Sequence, residues 1–268
     1  CKQNTAYKTY LHDPQLFSNT VHELNNIVMG NNFPAMIAAR NYTYAAIAAY
    51  EIIAAGYPDK YQSLSGQLNG LTNVAKPLPN ASIDFELAAL LSYIKVGEAV
   101  TFPEGSMASY KDSVLEIARK KGLTEEIENA SQSFADSMSA CIIRWSEADN
   151  YAQTRSAEKY SVKDVPGRWV PTPPMYAEAS EPHWMEIRPM AMDSATQFLA
   201  PAPIPFNITD KNGEYYKQVM EVKNATDSLT EEQKHIAEFW DDNPFKLTVS
   251  GHAMFATKKF SPSGHWMS

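Results

Sequence analysis

Cysteine is scarce in this sequence, with only Cys1 and Cys141 present. Two thiols cannot build a zinc ribbon or finger. A Cys1–Cys141 disulfide is not expected either, since it would pin a chain terminus. No His-x-x-x-His pair falls on a helix-forming stretch, which removes zincin-type metal chemistry. A Gly-x-Ser-x-Gly elbow and a Gly-Lys-Ser/Thr phosphate loop are both missing. No run of about 18 apolar residues exists, so no transmembrane helix is expected. The most apolar stretch, Ala35 to Ala55, is broken by Arg40, Asn41 and Glu51. Basic side chains are outnumbered 23 to 31, for a net charge of −8. That balance excludes a nucleic-acid partner, which needs a basic face, and leaves no polybasic patch for anionic lipid.

What is present reads as helix. Asp13-Pro14 is a cap followed by proline at the first helical position, and Gly30 stops that segment. The next helix starts near Pro34 and ends at Gly56. It is apolar nearly all round, which predicts the most buried place in a bundle. Ser82 is expected to cap a helix running to Val100, with Asp84 and Glu86 in its first turn. Ser106 to Lys121 is a further helix, closed by Gly122. Thr124 opens another, whose apolar positions Ile127, Ala130, Phe134, Met138, Cys141, Ile142, Trp145 and Ala148 recur at gaps of mostly three and four. Glu214 to Val222 and Thr230 to Trp240 complete the set, with Thr230 and Gln233 as a capping box. Strand signals are almost absent. Five Asn-x-Ser/Thr sequons, Asn41 among them, are read as chance.

Between Asp164 and Phe206 the texture changes to proline-rich, which no long helix tolerates. Trp, Met and Phe are too frequent there for a disordered linker. An ordered, extended excursion that wraps over the helical body is expected. The class is all-α, divided into a tether at 1–12, a helical bundle at 13–160, the wrapping segment at 161–209 and a helical segment at 210–268.

A chain that starts at Cys1 is expected to have lost a segment upstream. Secretory signals are removed from mature proteins, and bacterial lipoproteins are cut just before a cysteine that then carries lipid. Lys2-Gln3-Asn4-Thr5 suits a polar tether. The expectation is a lipid-anchored protein of a bacterial cell envelope, held to the membrane by acyl chains on Cys1 and facing the periplasm.

Two Ser-Gly-His strings are the chemically suggestive ones: Ser250-Gly251-His252, and Ser263-Gly264-His265 inside SPSGHW. Glycine beside serine lets backbone amides approach an anion closely, and histidine can act as nucleophile or acid. A glycine-bearing turn with a backbone-bonded histidine is the plainer use of the same residues.

Pro-Ser-Gly-His resembles a motif of the superfamily that joins type 2 phosphatidic acid phosphatases and vanadium haloperoxidases. RNYTYAAIAAYE, PGRWVPTPP, EPHW, TQFLAPAPIPF, IAEFWDDNPF and the closing GHW are similar, in that order, to bacterial haloperoxidase-related proteins. The resemblance implies a helical bundle and an anion cage of three parts: Lys, six residues, then Arg-Pro; Ser-Gly-His; and Ser-Arg, five residues, then His. It implies phosphomonoester hydrolysis through a phosphohistidine, or halide oxidation with vanadate as cofactor. This chain departs from the pattern. Its one Arg-Pro is Arg188-Pro189, preceded seven residues earlier by Glu181 in place of Lys, and no Ser-Arg occurs.

Ser263, Gly264 and His265 are therefore the candidate catalytic residues, with no metal ligand set and no nucleophile in the chain. The expected role is the scaffold of a phosphatase or haloperoxidase-like enzyme, inactive without a C-terminal catalytic half. The competing reading is a non-enzymatic lipoprotein whose 14 tyrosines and five tryptophans stack on glycans or peptides.

Overall fold

The computed structural model describes residues 5–31, 33–173, 176–240, 247–250 and 253–256. They form two compact units, one from residues up to 157 with 183–194, the other from 158–182 and 195 onward. The helices of the first unit are α1 (Ala6–Leu11), α2 (Pro14–Gly30), α3 (Ala35–Gly56), α4 (Phe85–Val100), α5 (Ala108–Lys120), α6 (Glu125–Glu147) and α7 (Tyr151–Ser156). The second holds α8 (Glu214–Asp227), α9 (Glu231–Phe239) and a hairpin of β1 (Leu247–Ser250) and β2 (Ala253–Ala256). The class is all-α, and no described helix is long and apolar enough to cross a membrane.

The helix ends follow local chemistry. Asp13 caps α2 by accepting from the Gln15 amide at 2.9 Å, with Pro14 in the first turn. Thr124 caps α6 through the Ile127 amide. At α9, Gln233 accepts from the Thr230 amide at 2.9 Å while Thr230 accepts from the Gln233 amide at 3.2 Å, the reciprocal capping box. The cap of α4 is Asp84 instead of Ser82: its Oδ1 accepts from the Leu87 amide at 3.0 Å. The Ser82 hydroxyl instead donates to Glu126. An ionised cap also suits the positive helix end better than a hydroxyl.

The core is a sandwich of α3, α4 and α6, with α2 against α4 and α1 against α5. Among these, α4 is the most enclosed: ten of its 16 residues are buried, against 11 of 22 in α3. The apolar count of α3 overstates its burial because part of one flank lies open, with Ala39 and Ala46 exposed. The buried face of α6 includes Ser131, Ser139 and Ser146 beside Phe134, Met138, Ile142 and Trp145. Ser131 accepts from the Asp84 amide at 2.9 Å and Ser139 bonds Ser92 at 2.9 Å, so these hydroxyls are satisfied without water. Cys141, expected in the core, is half-buried and free, one position off that face.

The polar residues that interrupt α3 have partners, with one exception. Buried Glu51 accepts from the Ser63 hydroxyl at 2.7 Å and the Leu64 amide at 2.6 Å, tying down the loop before α4. Asn41, 1% exposed, has no partner for either side-chain atom. Its burial rules out a glycan at that sequon. An unsatisfied buried amide is destabilising, so Asn41→Leu should raise stability by about 1 kcal/mol. The urea midpoint reads this; a lower midpoint would contradict it.

Residues 6–11, read as part of a tether, form α1, because Tyr7 and Leu11 find an apolar surface and are buried. Cys1 lies outside the described residues. The described residues of the proline-rich stretch are non-helical except for a single turn at Trp184–Glu186. Residues 183–194 of it pack on the bundle: Asn69 donates to the Pro189 and Met192 carbonyls and Met190 joins the core. The hairpin is a small addition to the all-α class. Its strands are four residues each, too short to show a period of two clearly.

Candidate functional site

Two polar clusters lie within the first unit. The first is a buried knot of charge where α3, the end of α6 and residue 188 meet. Asp149, 1% exposed, accepts from Arg40 Nε at 2.7 Å and from the Tyr44 hydroxyl at 2.8 Å. Its other oxygen accepts from the Tyr151 amide at 2.9 Å. Arg188 donates to the Tyr44 oxygen at 3.1 Å and the Trp145 carbonyl at 2.9 Å, and its guanidinium lies 4.7 Å from the centre of the Trp145 ring. Trp145 in turn donates to the Asn69 carbonyl at 2.9 Å. Burial, and then the Asp149 charge, push the Tyr44 hydroxyl far above its ordinary range, so it stays a donor. The whole arrangement holds helices together through one carboxylate and two guanidinium groups.

These contacts bear on the Arg188-Pro189 string. An anion such as vanadate needs several cations converging on open space. Arg188 is instead stacked on indole and bonded to a carbonyl and a phenol, and the cation beside it, Arg40, is neutralised by Asp149. Arg40 and Arg188 therefore do not form such a cage, although Arg188 Nε is buried without a hydrogen-bond partner. Ser263, Gly264 and His265 lie outside the described residues. So do Gly251 and His252 of the other string, while Ser250 ends β1 in register with Ala253.

The second cluster joins two helix starts. His12 Nε2 is 3.0 Å from Asp84 Oδ2 and 3.4 Å from Glu86 Oε2. A carboxylate only accepts, so Nε2 carries the proton and Nδ1 is left to accept from a ligand when the ring is neutral. Tyr57 donates to the other oxygen of Glu86, and that bond, with burial, pushes its hydroxyl up to about 12. Among the described residues this is the group of three whose ligand atoms lie within 4.8 Å of one another. The sequence shows Asp84 and Glu86 as first-turn acids, but His12 stands 72 residues from Asp84, and nothing local signals the pairing.

Beside the cluster lies a cavity of about 380 Å³. Ala46, Ala49 and Ile53 of α3, Phe17 of α2 and Leu90 of α4 line its apolar part, and His12, Asp13 and Glu86 its polar end. It falls within the size range of small-molecule sites.

Superposition on known structures gives the class. A solved chain matches 87% of this one at a TM-score of 0.80 with 36% identity, a likeness that supports the vanadium-haloperoxidase superfamily and its all-α fold. The solved protein is a bacterial vanadium-dependent iodoperoxidase determined by crystallography. This chain spans 56% of its length. No protein-family profile and no curated protein sequence matches the chain.

Proposed function

We propose that the chain is the helical scaffold of a vanadium-haloperoxidase-like enzyme, which either oxidises halide with vanadate or hydrolyses phosphomonoesters, and that it is inactive alone. The observation that carries this is the 36% identity to an iodoperoxidase over 87% of the chain, with just over half of that protein spanned. Two features of the chain support it. Arg188, of the one Arg-Pro string, and Arg40 near it are bonded within the core and do not converge on open space as an anion cage would. Moreover, α8 has no buried residue, although Val219 and Val222 lie on one flank, 42% and 68% exposed. An amphipathic helix is ordinarily stabilised by packing its apolar face, so a catalytic half that covers α8 fits this reading.

The test compares residues 1–268 with the complete reading frame. Iodide oxidation by peroxide, with and without vanadate, and vanadate-sensitive hydrolysis of p-nitrophenyl phosphate are measured on both. The short chain should show neither activity and the complete protein one of them. Turnover by the short chain that His265→Ala abolishes would overturn the scaffold reading and place the active site at Ser263-Gly264-His265. If neither form turns over either substrate, the non-enzymatic, glycan- or peptide-binding reading gains ground.

A further inference from the structure

We propose that the cavity between α2, α3 and α4 binds a small organic cation: an apolar aliphatic or aromatic body carrying a protonated amine. The inference does not depend on the enzymatic reading above. It starts from α3, whose sequence predicts burial all round. One of its stripes, Ala46, Ala49, Tyr50 and Ile53, at helical spacings of three and four, lines the open cavity. Two alanines in that stripe leave room that larger side chains would fill. Phe17 and Tyr61, 38% and 45% exposed, line the same space. These surfaces give an apolar body somewhere to leave water, at about 25 cal/mol per Å² buried.

The charge at the polar end selects the headgroup. Asp13 and Glu86 line the cavity, and Asp84 stands behind His12. Asp84 and Glu86 sit against the one imidazole, Asp13 lines the cavity as a third carboxylate, and among the described residues no lysine or arginine lines it. Even a protonated ring leaves two negative charges in excess. The starts of α2 and α4 together offset roughly one unit of that. The remaining field attracts a cation and repels a carboxylate. The neighbouring aromatic faces of Phe17, Tyr50 and Tyr61 favour an ammonium group as well. A bare metal ion would use the acids and leave the apolar walls idle, so the combined surface suits an organic amine.

Isothermal titration of the 268-residue chain tests this with three probes of one shape: 4-phenylbutylamine, 4-phenylbutanol and 4-phenylbutanoate. The amine should bind tightest, by about tenfold over each of the others, a difference of about 1.4 kcal/mol. Glu86→Gln should remove most of that preference while leaving the affinity for the alcohol unchanged. Ala46→Trp, at an exposed position that tolerates a larger side chain, should fill the cavity and abolish binding of all three. Circular dichroism checks that both variants are folded. Carboxylate binding as tight as amine binding would overturn the charge argument. Undiminished amine binding by folded Ala46→Trp, or no binding heat at millimolar amine, would overturn the site.

Discussion

Asp149→Ala is expected to lose roughly 3–5 kcal/mol of stability, a large share of what an ordinary domain possesses. The reason lies in what remains after the carboxylate is gone. The side chain of Arg40 is 9% exposed and that of Asp149 1%, so water cannot replace the missing partner readily. Arg40 would keep the Ser146 carbonyl at 3.1 Å, a neutral acceptor that does not balance its charge. Tyr44 would lose its acceptor, and so would the Tyr151 amide at the start of α7. Asp149→Asn, which keeps an acceptor oxygen but no charge, should fall between wild type and alanine. Urea unfolding followed by circular dichroism measures all three, and an alanine variant within 1 kcal/mol of wild type would show that the knot contributes little.

A second large effect is expected where α2 crosses α4. Leu24 is fully buried, and a Cβ added to Gly97 would sit 3.1 Å from both of its terminal methyls. Leu24→Ala should therefore cost about 2–5 kcal/mol, a transfer loss plus the cavity left behind. Gly97→Ala alone should bring no benefit, because crowding against Leu24 offsets the roughly 1 kcal/mol that alanine gains over glycine inside a helix. In the Leu24→Ala background the same change should stabilise, since the new methyl enters vacated space. The two substitutions thus couple, by about 0.5–3 kcal/mol as contacting pairs do. Strict additivity in the double-mutant cycle would mean that the two helices do not meet as described.

Helix positions were largely legible because their ends carry local signals. Asp13-Pro14, Thr124 and the Thr230–Gln233 box each act on amides within three residues, so reading them requires no tertiary information. Burial was less legible. A hydrophobicity count puts α3 at the centre, whereas packing on two sides puts α4 there. It also passes over Ser131 and Ser139, which are inside because a partner hydroxyl or amide waits for them. The candidate site was the hardest to see. The cavity depends on α3 leaving one stripe uncovered, and the His12–Asp84 pair depends on two helix starts meeting. Arg188 gave the opposite difficulty. Its Arg-Pro string suggests an anion site, while the fold uses the guanidinium to hold Trp145 and Tyr44.

The central place of α4 also sets the order in which the first unit comes apart. Its amides from Leu87 to Ile94 lie behind α3 on one side and α6 on the other, with every side chain in that run buried. No local fraying can expose them, so they open only when the bundle as a whole does. α1 is six residues long, rests on α5 and carries two buried side chains, so it can detach at small expense. The bundle is thus a cooperative middle with a releasable first turn-and-a-half, and the His12 end of the proposed amine site sits on the hinge between them.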